Sequence, residues 1–233
     1  MNHSPKDAFE KIARKYAETV DLKPIHIYYE RPNLLALLPK DISGLSILDL
    51  GCGSGWYAEQ LTKLGGDVTA IDASPTMVEL AKERLNGKGK VYLADLENSL
   101  EFLNGKKFDI VIAPLVIHYI KNWYSLFLNL SNLLKPKGLF IFSTHQPHAE
   151  FNMFKLKNYF EKIQINDYWE GIGEVKFYHH TLHELTENLH RAGFIIERML
   201  EPFPLPEMQA TDTQMYNSIM TMPWFLFVKA IKK

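Results

Sequence analysis

A single cysteine, Cys52, stands among the 233 residues, which excludes an intrachain disulfide and argues against any multi-cysteine metal site. No His-Glu-x-x-His or comparable spacing occurs among the nine histidines, so no metal is expected. Long apolar runs are missing as well: none approaches the roughly 20 residues that cross a bilayer, and the segment from Met1 to Asp7 lacks the apolar core of a signal peptide. A cytoplasmic protein with no membrane partner is expected. Charge of one sign is also absent, since 26 basic residues face 27 acidic ones for a net −1. That balance gives no global attraction to nucleic acid, and RNA binding would need a local basic patch. No internal repeat or low-complexity tract appears.

What is present is concentrated in Ser46-Ile-Leu-Asp-Leu-Gly-Cys-Gly-Ser-Gly-Trp56. Ile47, Leu48 and Leu50 suit a buried parallel strand, and Gly51, Gly53 and Gly55 let the backbone turn sharply and approach a ligand closely. A dinucleotide turn requires Gly-x-Gly-x-x-Gly, but the sixth position here is Trp56. Asp49 would repel a pyrophosphate and suit a ligand carrying an ammonium or a sulfonium, which points to S-adenosylmethionine rather than NAD. Cys52 reads as a small residue packed at the glycine turn, because no basic sequence neighbour would stabilise a thiolate.

Strand-like and helical patterns alternate from Ser46 to Phe142, the signature of βαβ units in a doubly wound α/β sheet. Helices are expected near Trp56–Leu64, Pro75–Asn86 and Trp123–Leu134. The second has Ser74 as N-cap, Pro75 at the first helical position, Met77, Leu80, Ala81 and Leu85 toward the sheet, and Gly87 at its close. A ligand then sits beyond the carboxyl ends of the strands, where Gly51, Asp72, Asp95 and Ala113 fall.

With these features in hand, the chain resembles the class I S-adenosylmethionine-dependent methyltransferases. The Gly51 turn resembles their motif I, and Val68-Thr-Ala-Ile-Asp72 with Ala73-Ser-Pro-Thr-Met77 resembles the second strand and the helix after it. Tyr92-Leu-Ala-Asp-Leu96, Phe108-Asp-Ile-Val-Ile-Ala113 before His118-Tyr119, and Leu134-Lys-Pro-Lys-Gly138 before Leu139-Phe-Ile-Phe-Ser143 resemble the next three strands and their loops. From about Tyr28 onward the chain looks like the methyltransferase type 11 group of small-molecule enzymes. Tyr28-Tyr-Glu-Arg-Pro32, Ser143-Thr-His-Gln-Pro147 and Tyr178-His-His180 share that likeness. The resemblance implies a Rossmann-like, seven-stranded, mostly parallel sheet with an antiparallel final strand, inserts over the active site, and S-adenosylmethionine as cofactor. Cofactor contacts are then expected from Asp49, Gly51, Cys52, Gly53, Asp72 at the ribose hydroxyls, Ala73, Met77, Asp95 at the adenine amino group, Leu96, Ala113 and Tyr28. The plainer readings are an N-cap for Asp95 and a core position for Met77.

One domain over 1–233 is expected: a helical cap at 1–42, a cofactor core at 43–144, and inserts at 145–180 and 202–223. The cap carries Phe9, Ile12, Ala13, Tyr16, Ala17 and Val20 at helical spacing, with Tyr16 read as packing. Tyr28 and Tyr29 either pack or close over the methionine end of the cofactor. The first insert is rich in aromatics, including Phe151, Phe154, Tyr159, Phe160, Tyr168 and Trp169, and suggests an apolar or aromatic acceptor pocket. Thr181–Ala192 reads as helix, and Phe194–Met199 with Trp224–Val228 as the last strands.

Methyl transfer to a hydroxyl or a protonated amine needs a base. His118 and His145, at the carboxyl end of the sheet, are the catalytic candidates, with His148 beside them and one of His179 and His180 as a pocket residue. Ordinary packing or hydrogen bonding is the alternative for each. The expected function is methylation of an O, N or C atom of a small, aromatic or apolar molecule. The alternatives are a catalytically inactive cofactor-binding regulator and an RNA-modifying enzyme.

Overall fold

In this computed structural model, which describes residues 5–98, 100–169 and 173–233, the sheet is built around strands of fully buried aliphatics. Ile47, Leu48 and Leu50 make β1 (Ser46–Leu50) a strand covered on both faces. Around it are β2 (Asp67–Asp72), β3 (Lys90–Leu93), β4 (Phe108–Pro114) and β5 (Leu134–His145). After the hairpin β6 (Gln164–Trp169) and β7 (Gly173–Tyr178) come β8 (Phe194–Leu200) and β9 (Phe225–Lys232). The seven-stranded sheet has the order β3-β2-β1-β4-β5-β9-β8, and β6 pairs with β7 separately. β1 to β5 pair in parallel, while β9 lies antiparallel between β5 and β8. This is the doubly wound, mostly parallel class I methyltransferase architecture expected from the sequence.

Strand side chains alternate between two apolar layers, as the two-residue period requires. Leu48, Leu50, Val111, Phe140, Phe142 and Val228 pack on one face with Trp123, Phe127 and Leu130 of α5 (Trp123–Leu133) and Leu185 and Leu189 of α7 (Leu182–Arg191). Ile47, Val68, Ala70, Ile110, Ile112 and Phe227 face α2 (Arg31–Leu35), α3 (Trp56–Lys63) and α4 (Pro75–Leu85). Ser74 caps α4 as read from sequence, its side chain accepting the Met77 N–H. The left-handed residue at the other end is Asn86, with Gly87 following it in the same region, so the expected close at Gly87 comes one residue early. β5 begins at Leu134 rather than Leu139: Leu134 pairs with Phe108 across a register shift, which absorbs the expected turn into the strand.

Three peripheral pieces close over the carboxyl ends of β1 to β5. The first is α1 (Pro5–Val20), followed by a π-helical turn at His26–Glu30. The side chains of Phe9 and Ile12, together with Met1–Ser4, lie outside the described residues. The second piece is α6 (Pro147–Met153) with the β6–β7 hairpin, regular structure in a stretch whose sequence showed no clean period. The third, α8 (Glu207–Thr211) and α9 (Thr213–Thr221), fills the 202–223 connection and anchors through buried Met208 and Ile219.

Candidate active site

A cavity of about 540 Å³ opens at that rim, lined from the sheet by Asp49, Gly51, Cys52, Gly53, Asp72, Ala73, Asp95 and Leu96 and from α4 by Met77. Nine of the eleven expected cofactor residues therefore converge on one space. Ala113 does not: it is fully buried in the layer that packs α5, and Pro114, Leu115 and Val116 reach the cavity in its place. Tyr28 does not line it either, packing instead in the layer under α2 and α3. Its neighbour Tyr29 is buried and stacked on Phe225 at 5.4 Å. From the cap, Tyr16, Val20 and Asp21 reach the cavity, so Tyr16, read from the sequence as packing, is a lining residue. Burial pushes the Tyr16 phenol up to about 12.

The turn after β1 is shaped for close approach. Gly51 and Gly53 both have positive φ, 62° and 53°. A Cβ on Gly51 would come within 2.4 Å of Val116 Cγ2, whereas one on Gly53 would meet no protein atom within 4 Å. The first glycine is thus required by packing, and the second by conformation on a face open to the cavity. Asp72, at the end of β2, accepts from Gly53 N–H at 2.8 Å and from Ser74 N–H at 2.9 Å. Burial raises its carboxyl, and these backbone donors temper the rise. Each oxygen keeps acceptor capacity for a further donor. Asp95 lines the cavity while its Oδ1 accepts the Glu97 N–H at 3.0 Å, a local turn rather than the cap of a regular helix. The Cys52 thiol is held protonated by burial and by Asp72 and Asp49.

Asp49 is fully buried, and neither of its oxygens has a hydrogen-bond partner among the described residues. Burial first, then Asp72 and Glu30, push its carboxyl well above the usual range, with the Ala58 backbone only tempering the shift. Ionised and without a partner it would cost several kcal/mol, so the carboxyl holds its proton until a bound cation offsets that cost.

Sequence reasoning missed Glu30, Arg31 and Tyr57 as cavity residues. Glu30, in the π-helical turn, accepts from Ser143 Oγ at 2.7 Å and from Tyr57 OH at 2.9 Å. Burial lifts it to about 7 despite those bonds and the nearby Arg31. Arg31 pairs with Asp21 at 2.7 Å and lies over the Trp56 ring at 3.9 Å. These contacts join residues up to 113 positions apart, and the only local signal was an acid and a base inside an otherwise apolar stretch.

His118 and His145 meet across the cavity wall, their rings stacked 3.9 Å apart at 13°. Neither His118 nitrogen has a partner among the described residues, and burial, with His145 and His180 nearby, pushes it well below the usual imidazole range. It stays neutral. His145 Nδ1 lies 2.8 Å from Glu150 Oε1. Phe177, Phe154, Trp169, Met153 and Phe225 complete this largely apolar side. Of the other histidines, His148 stacks on Tyr159, His179 bonds Glu150 and Tyr159, and His180 stacks on Trp123; none of the three lines the cavity.

The family model of a methyltransferase domain matches residues 48–142. An uncharacterised protein of Haemophilus influenzae is 30% identical, with 97% of this chain and 95% of that protein covered. A ubiquinone biosynthesis O-methyltransferase of Rickettsia bellii is 35% identical over 153 residues, a match that spans only 62% of either chain. Among solved structures, an S-adenosylmethionine-dependent methyltransferase from Mesorhizobium loti superposes with a TM-score of 0.76 and 27% identity, covering 87% of this chain and 97% of that one.

Proposed function

Because the chain belongs to the class I S-adenosylmethionine-dependent methyltransferases, we propose that it methylates a hydroxyl oxygen of a small, apolar or aromatic molecule, with His145 as general base. The observation that carries this reading is that one cavity brings buried acids and a stacked pair of imidazoles together. Asp49, Asp72 and Glu30 share the space with the stacked His118–His145 pair and its aromatic surround. The Rickettsia relatives named as O-methyltransferases agree with oxygen as the accepting atom.

S-adenosylmethionine supplies an electrophilic methyl carbon on a sulfonium. Asp72 accepts from the ribose hydroxyls, Asp95 from the adenine amino group, and Met77 and Leu96 border the base. Asp49 is a buried carboxyl without a partner among the described residues that an ammonium would favour in its ionised form, and Arg31 suits the carboxylate of the methionine end. The protein's further tasks are alignment, exclusion of water and removal of one proton. Alignment is worth roughly 7–11 kcal/mol and a positioned base about 10²–10⁴-fold. Neutral, buried His118 backs the His145 ring by stacking on it at 3.9 Å. Tyr16 and the β6–β7 hairpin cover the opening.

Incubation with methyl-labelled S-adenosylmethionine and separate panels of phenols, small amines and RNA tests the assignment. Label in methyl ethers, lost in His145→Ala, is the expected result; label in RNA or amines alone would contradict it.

A further inference from the structure

Glu150 has no place in cofactor binding, yet it is a buried acid five residues beyond the proposed base. It sits on α6, whose start is fixed by the Gln146 side chain accepting the Ala149 N–H at 2.7 Å and by Gln146 Nε2 donating to Glu201 at 2.7 Å. Its two oxygens are divided between two imidazoles, Oε1 at 2.8 Å from His145 Nδ1 and Oε2 at 2.9 Å from His179 Nδ1. Burial works to raise this carboxyl, but the hydrogen bonds and charges of His145 and His179 outweigh it and hold Glu150 below the usual glutamate range. It is therefore an acceptor at both oxygens, and both Nδ1 atoms must donate.

His179 is held at both ring nitrogens: Nδ1 by Glu150 and Nε2 by the Tyr159 carbonyl at 3.0 Å. For His145 the consequence is different. With Nδ1–H committed to Glu150, its Nε2 carries the lone pair, and no described residue bonds that atom. The remaining groups packed on the ring are His118, Phe177 and Phe225, none of which is an anion.

We propose that Glu150, backed by His179, is a positioning residue that locks His145 into the tautomer whose bare Nε2 takes the acceptor proton. The inference rests on the reading of His145 as base. During transfer, the acceptor O–H proton passes to Nε2, the oxygen pair forms the bond to the methyl carbon, and the carbon–sulfur pair returns to sulfur. Glu150 stabilises the imidazolium so formed and is not itself protonated. The contact with His179 in turn helps hold the Glu150 carboxyl below the usual glutamate range.

Nitrogen-15 NMR of histidine-labelled wild-type protein, Glu150→Gln and Glu150→Asp reads the tautomer without any acceptor, and methyl transfer to catechol serves as the activity probe. The expected wild-type state is Nδ1–H with Nε2 bare. Glu150→Gln mixes the two tautomers and lowers kcat by about 10²-fold or more at unchanged KM for S-adenosylmethionine, and Glu150→Asp restores part of both. A wild-type His145 protonated at Nε2 alone, or a tautomer unmoved in Glu150→Gln, would overturn the positioning role. The wild-type spectrum decides this even if both variants fail to fold. If His145→Ala transfers label at the wild-type rate, the base assignment falls and the proposal falls with it. If that variant is inactive while Glu150→Gln keeps the tautomer, only the role of Glu150 is lost.

Discussion

At the scale of single residues, Glu30, Asp49 and Asp72 are acids of one cavity whose burial raises each carboxyl and opposes its ionisation. Glu30 is the most measurable of them, since its carboxyl rises from 4.5 to about 7. The folded protein thus holds this proton more tightly than the unfolded chain does. Stability from it is fully present below about pH 4.5 and is lost as the pH climbs to about 7, by at most roughly 3 kcal/mol. Thermal melts of the ligand-free protein should show a midpoint falling across that interval, and Glu30→Gln should flatten the fall; an equal slope in the variant would contradict the assignment. A cationic ligand favours the ionised carboxylates, so S-adenosylmethionine affinity should strengthen over the same rise in pH. Asp72→Ala should weaken that affinity by about 1.5–3 kcal/mol in calorimetry, the worth of hydrogen bonds to a charged group; unchanged affinity would remove Asp72 from the ribose. That Asp49, Asp72 and Asp95 share one rim was legible in the sequence because each lies within two residues of the carboxyl end of a parallel strand. Glu30 and Glu150 were not, because their roles come from Ser143, Tyr57, His145 and His179, contacts that no local period encodes.

Among elements, α1 and the β1 turn make separable contributions. Glu10 of α1 accepts from Ser74 Oγ and, at 2.6 Å, from Thr76 Oγ1, placing an acid at the positive end of α4 and pinning the cap across the cavity. Glu10→Ala should speed amide exchange over α1, leave β1 and β4 protected, and shorten the residence of S-adenosylmethionine. Exchange in α1 identical to wild type would show that the cap is held elsewhere. The turn is tested by two alanines at similar φ. Gly51→Ala should destabilise the fold, because its Cβ would strike Val116. Gly53→Ala should cost only the roughly 1–2 kcal/mol of a left-handed residue while losing donor affinity, because its open side is the cavity. Equal melting temperatures for the two variants would contradict this separation. The core elements were readable from alternating apolar runs, Ser74 and the glycines. The 145–180 insert was not, since the β6–β7 hairpin buries Ile165, Val175 and Phe177 against Tyr119, Phe154 and Leu156 from separate segments rather than on one face of a regular pattern.

Over the whole molecule, the sheet serves as a platform whose carboxyl rim gathers the cavity residues that follow β1 to β4 and His145 at the end of β5. The later segments add the wall opposite. α6 carries Glu150 and Met153, the hairpin carries Trp169 and Phe177, and α9 reaches the cavity with Met215. The central claim is that one cavity seats S-adenosylmethionine with its sulfur turned toward His145. With the acceptor oxygen about 2.8 Å from Nε2 and about 3 Å from the methyl carbon in a near-attack geometry, sulfur and Nε2 should lie within roughly 8 Å. A crystal structure with S-adenosylhomocysteine measures that separation directly. The account predicts the adenosyl group between Asp72 and Asp95 and the sulfur facing His145 across unfilled space; a sulfur turned from His145, with protein side chains packed between them, would contradict it.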